Sequence, residues 1–186
     1  MRARSIRNLG LTLACAGLIL SAGMLSGCGT TQPVTSWTNM KGQRTDLMGD
    51  NLLDVPGQVD TREMLWLNAF REVLGPQEMR YHLQVTYGAR KNAGPLEINP
   101  GRSLIIIADG QELSFSGLGS LEQEEERNAI FEKARYDATA DDIARIAFAK
   151  KVVVRVVGRN GIVVREFGEE NFENFRKFAR MTGADL

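Results

Sequence analysis

His82 is the single histidine of the chain and, with Cys15 and Cys28, it heads a short list of residues able to do chemistry. One histidine and two cysteines exclude a multi-histidine zinc site. A Ser-His-Asp triad through His82 is arithmetically possible, but no nucleophile-elbow sequence accompanies it. His82 lies in the run Tyr81-His82-Leu83-Gln84-Val85-Thr86-Tyr87, where Tyr81, Leu83, Val85 and Tyr87 alternate onto one face of a strand. That places His82 on the opposite face, towards solvent or a second layer. Glu122, Glu124, Glu125 and Glu126 could attract calcium, yet the EF-hand spacing of acids and glycine is absent. Asp141 and Asp142 are accounted for as first-turn acids of a helix. Gly117-Leu118-Gly119-Ser120 lacks the lysine and helix of a phosphate loop. The residue types therefore imply no catalytic set, no metal and no cofactor.

Cys28 is a different kind of reactive residue. Arg2, Arg4 and Arg7 precede an apolar run from Leu9 to Leu25 that is short for a transmembrane helix. A basic start followed by a short apolar run suits a secretory signal. The run ends in Leu25-Ser26-Gly27-Cys28, which resembles the lipobox of bacterial lipoproteins. The resemblance implies cleavage between Gly27 and Cys28, removing residues 1–27, and acylation of the Cys28 sulfur and its new amino group. Two or more acyl chains give stable membrane anchoring. Gly29 in place of an aspartate implies the outer membrane, with the domain facing the periplasm.

Without its signal the chain keeps 20 basic against 23 acidic residues. Such a chain lacks the basic stripe that phosphate backbones require, which argues against nucleic acid as a partner. Residues 28–60 are rich in Thr, Asn, Gly and Pro and read as a tether. As a flexible chain it would span roughly 30 Å. Trp37, Leu47, Leu52 and Leu53 could pack onto the domain, making its second half an ordered arm.

A single domain is expected over 61–183. Residues 63–74 and 79–88 read as a long hairpin, with a helix as the alternative for the first arm. Ser103 to Ala108 and Gln111 to Phe115 flank Asp109-Gly110, a strong hairpin signal because both residues tolerate positive φ. Residues 117–127 read as a solvated loop and 130–138 as a further strand. Thr139-Ala140-Asp141-Asp142 opens a helix. Val152 to Val157 and Ile162 to Phe167 form a third hairpin around Asn160-Gly161. Val152–Val157 is apolar on both faces except Arg155, the pattern of a central strand. A last helix over 169–181 carries Phe172, Phe175 and Phe178 in one stripe and ends at Gly183.

The fold class is α+β, mainly antiparallel β built of three hairpins as one sheet or a sandwich, with two helices towards the C-terminus. The string from Glu132-Lys133-Ala134-Arg135-Tyr136 to the phenylalanine helix resembles small uncharacterised lipoproteins of Gram-negative bacteria. Trp66, Tyr81 and Tyr87 could line a pocket between layers or fill the core. Phe172, Phe175 and Phe178 could dock a partner or form the buried side of the helix. The expectation for function is a non-catalytic, lipid-anchored envelope module that binds another protein. The alternatives are a small-ligand or lipid carrier, and a hydrolase acting on envelope polymers through paired carboxylates.

Overall fold

The computed structural model describes residues 34–53, 63–126 and 128–185. Cys28 and the expected cleavage site lie outside the described residues. Ten strands and two helices follow in the order β1 (Thr35–Thr38), β2 (Arg44–Leu47), β3 (Glu63–Val73), β4 (Met79–Arg90), β5 (Gly101–Ala108), β6 (Gln111–Gly117), β7 (Glu122–Glu125), β8 (Ala129–Ala138), α1 (Ala140–Phe148), β9 (Val152–Gly158), β10 (Gly161–Glu166) and α2 (Glu169–Thr182). All pairings are antiparallel, within one sheet ordered β1-β2-β3-β4-β8-β6-β5-β9-β10, with β7 paired to β8. The class is α+β with the helices near the C-terminus, as composition and turn signals indicate.

The expected hairpins are all present, and each has a local cause. Asp109 and Gly110 sit at φ 49° and 83°, the left-handed pair that a two-residue turn requires. The Asp109 carboxylate also accepts the Lys150 and Lys151 amides at 2.9 Å, tying the hairpin tip to the start of β9. Residues 63–73 resolve as strand. Leu65, Leu67 and Ala69 alternate into the core and pair with Tyr87, Val85 and Leu83. Tertiary pairing thus overrides the helical option that an acidic start allowed.

Two stretches differ from expectation. The span 28–60, expected as a tether whose second half could pack as an ordered arm, contributes two strands, β1 and β2, which extend the sheet beyond β3. Four-residue strands of Thr, Ser and Asp carry little apolar period. They hold because the fully buried Asp46 on β2 ion-pairs with Arg71 on β3. The stretch 117–127, expected as a loop, contains β7, an exposed strand against β8 in which Lys133 bridges Glu122 (3.2 Å) and Glu124 (3.0 Å).

Buried residues from β3, β4, β5, β8, β9 and both helices form one hydrophobic core. Arg165 on β10 donates to the Glu63 carbonyl of β3 at 3.3 Å, so the sheet curls until a rim strand meets its far half. Helix α1 is capped by Thr139, whose hydroxyl accepts the Asp142 amide at 3.1 Å while Asp142 accepts the Thr139 amide at 2.9 Å. Thr139→Ala should therefore destabilise the fold by about 1 kcal/mol in urea unfolding at neutral pH. A loss under a few tenths would mean that burial of Ile143 and Ile146 alone sets the helix. Helix α2 ends at Gly183, at φ 67°.

Candidate functional site

The register of three neighbouring strands sets Phe70, His82 and Asp137 side by side on the face turned away from the core. His82 Nδ1 lies 3.0 Å from Asp137 Oδ1, and its Nε2 lies 3.4 Å from Glu72 Oε2. The imidazole stacks on Phe70 with centroids 4.6 Å apart, and the Arg135 guanidinium lies over the same phenyl ring. His82 is 8% exposed and borders an open cleft of about 730 Å³, with Arg80, Thr139 and Gly183 also on its wall. A histidine oriented by a carboxylate is half of a base-and-nucleophile pair. The other half is missing from this wall. The Thr139 hydroxyl donates to Asp142 at 2.7 Å as the cap of α1, and the Tyr81 hydroxyl donates to the Thr182 carbonyl at 2.8 Å. The arrangement fixes one strand row to its neighbours without freeing a hydroxyl for attack.

The buried carboxylates are engaged in the same structural way. Burial alone would raise the Asp46 carboxyl, but hydrogen bonds from Ser36, Arg71 and Arg44 outweigh it and hold the group below the ordinary aspartate value. Glu132, 1% exposed, accepts the backbone amides of Glu97 and Ile98 and the Ser120 hydroxyl. Burial, followed by the neighbouring Glu63 charge, pushes the Tyr87 phenol up, and Tyr87 donates to Glu63 at 3.1 Å. Among the described residues no three His, Cys, Asp or Glu side chains are grouped to hold a metal.

The aromatic residues named above are not gathered into one pocket. Tyr81 and Tyr87 face the core, at 8% and 2% exposure. Trp66 lies on the opposite face and packs on Phe131 at 6.2 Å. Gly88 makes that contact possible, since a Cβ there would sit 2.9 Å from the Phe131 ring. Phe175 and Phe178 are fully buried, so neither offers a surface to a partner. Phe172 is half-buried against Phe167 at 5.3 Å. The stripe is the core side of α2 because the helix packs on the β-sheet core and on α1.

A second surface emerges only from the sheet order. Val152, Val154 and Val156 of β9 point into the core, so Val153, Arg155 and Val157 point out. Their neighbours on that outer face are Ile105 and Ile107 of β5 and Ile162 and Val164 of β10. Ile162 is 60% and Val164 46% exposed, and β10 is a rim strand of the sheet. Six β-branched apolar side chains thus surround Arg155, whose guanidinium has no partner among the described residues. Glu166, paired to Lys151, and Glu112, paired to Arg102, mark its polar border. The apolar run Val152–Val157 was expected to mark a central strand, and β9 is indeed interior, paired to β5 on one side and β10 on the other. It lies one strand from the rim, and its second face carries no layer among the described residues. Apolarity on both faces of a strand was the available signal, and the sequence does not tell a covering layer from an absent one.

Compared with known proteins, the chain matches no family model, no curated protein and no solved structure. No helix among the described residues is long and apolar enough to cross a membrane.

Proposed function

We propose that this chain is a lipid-anchored, non-catalytic module of the bacterial envelope that binds another protein through the outer face of β5, β9 and β10. The observation that carries the reading is that face, which is β-branched and, among the described residues, carries no covering layer and leaves the arginine at its centre without a partner. Exposed apolar patches rimmed by polar residues mark interaction sites, and arginine within an apolar interface is a common anchor. The complementary surface is apolar with a carboxylate set to meet Arg155. The anchor rests on Leu25-Ser26-Gly27-Cys28 and its flanking run. The cleft bordered by His82 supplies no free hydroxyl nucleophile among its lining residues, which favours binding over hydrolysis.

The test is site-specific photocrosslinking in intact cells with the probe at Ile162, set against a probe at Glu124 on β7. One protein captured at Ile162 and absent at Glu124 is the expected result. Val164→Asp in the chain that carries the probe at position 162 should abolish that capture while changing unfolding stability by less than about 0.5 kcal/mol, as surface changes do. The same captures from both positions, or a Val164→Asp chain that still crosslinks through the probe at position 162, would reject the face as the interface.

A further inference from the structure

The β1–β2 hairpin presents a second apolar feature, at the other rim of the sheet. Trp37 is 48% exposed, and Met40 at the turn is wholly exposed. Ser36 and Asp46 of the hairpin turn towards Arg71, so Trp37 and its partner Thr45 lie on the opposite side. That side carries Thr35, Trp37, Thr45 and Leu47 and no charge. Beside the turn stand the exposed Lys41 and the half-exposed Arg44, while the one acid of the hairpin, Asp46, is buried and neutralised by arginine. Tryptophan, methionine and the Lys41 cation at a hairpin tip suit a lipid–water boundary, where an indole straddles apolar chains and headgroups and a cation meets phosphate.

The chain's own length supplies the occupant. Thr35 follows Cys28 by seven residues, and seven residues reach at most about 25 Å. An acylated Cys28 therefore keeps Thr35, where the hairpin begins, within that distance of the bilayer, at an effective concentration that makes a weak apolar contact count. We infer that the β1–β2 hairpin rests on the lipid surface, with Trp37 and Met40 at the headgroup boundary. The inference depends on the lipid-anchor reading of Cys28.

The mature chain, extracted from membranes and verified by mass spectrometry, is placed in vesicles of phosphatidylethanolamine and phosphatidylglycerol with brominated acyl chains. The chain has two tryptophans, Trp37 and Trp66. Brominated lipid should remove about half of the tryptophan emission. Trp37→Phe should eliminate the quenched half, and Met40→Asp should reduce it at least twofold with the fold intact by circular dichroism. A chain that floats with vesicles while its emission is unquenched overturns the inference and leaves the anchor standing. Quenching that persists in Trp37→Phe belongs to Trp66 and overturns it too. Trp37 shielded in native membranes but unquenched in pure lipid would assign the hairpin to a protein partner instead. A chain with no acyl mass that fails to float removes the anchor reading, and the inference with it.

Discussion

Asp46→Ala should cost about 3–5 kcal/mol of stability, the range for breaking a buried ion pair from one side. Asp46 is fully buried. Its oxygens accept from Ser36 at 2.6 Å, from Arg44 at 2.7 Å and from Arg71 Nε at 3.0 Å. Removing the carboxylate strands Arg71, whose side chain is only 12% exposed. The consequence extends beyond the hairpin. Arg71 also donates to the Thr182 carbonyl at 2.6 Å, so the same guanidinium that holds β2 satisfies the C-terminal end of α2. Urea unfolding at neutral pH is the measurement, and a change below about 1 kcal/mol would show β1 and β2 to be a dispensable arm.

The pH dependence has a definite sign. The Asp46 carboxyl is held below its ordinary value in the folded chain. The stabilisation it provides is thus complete above the unfolded aspartate value of about 3.9 and is lost as pH falls through the lower folded value. Asp46→Asn should unfold more readily at neutral pH but lose less stability than the parent on acidification below about pH 4. Parallel acid limbs for the two chains would mean that other carboxylates govern acid unfolding.

What was legible in the sequence was local chemistry. Asp109-Gly110 specifies its turn by backbone freedom, Thr139 and Asp142 cap α1 from three residues apart, and Gly183 takes the left-handed position that ends α2. What was not legible depends on partners distant in the chain. β1 and β2 exist through Asp46 and Arg71, 25 residues apart, and the His82–Asp137 contact joins positions 55 apart. No periodicity records such pairs. The run Glu122–Glu125 gives no strand signal because its charges are balanced by Lys133, across the pairing, and not by burial. The outer face of β9 shows the same limit in reverse. Its side chains were legible, but the sheet order that leaves them uncovered was not.

Glu132 is the second position where one side chain holds several elements. One carboxylate oxygen accepts the Glu97 amide at 3.0 Å; the other accepts the Ile98 amide at 3.1 Å and the Ser120 hydroxyl at 2.6 Å. Glu97 itself sits at φ 53°, an uncommon conformation for a residue with a side chain, and the carboxylate holds it there. Glu132→Ala leaves three donors without their acceptor in a site 1% exposed. At about 1–3 kcal/mol per unsatisfied donor, with partial rescue by water, the expected loss is about 3–5 kcal/mol. Glu132→Gln keeps one acceptor oxygen but turns an NH2 towards a donor, and should lose about half as much. The effect should also reach the proposed interface. Residues 95–97 accept from the β9–β10 turn: Leu96 and Glu97 carbonyls bond the Asn160 and Arg159 amides at 3.1 and 2.9 Å, and Pro95 accepts the Asn160 side chain. Releasing them loosens the turn that carries Ile162. Hydrogen exchange separates the two levels. Glu132→Gln should lose protection first at Glu97, Ile98, Arg159 and Asn160 while Val154 and Val156 in the core of β9 stay protected. Protection lost uniformly through β9 would instead mean that Glu132 supports the whole sheet, and that the pairing of Ile98 with Gly158 is too weak to hold this end alone.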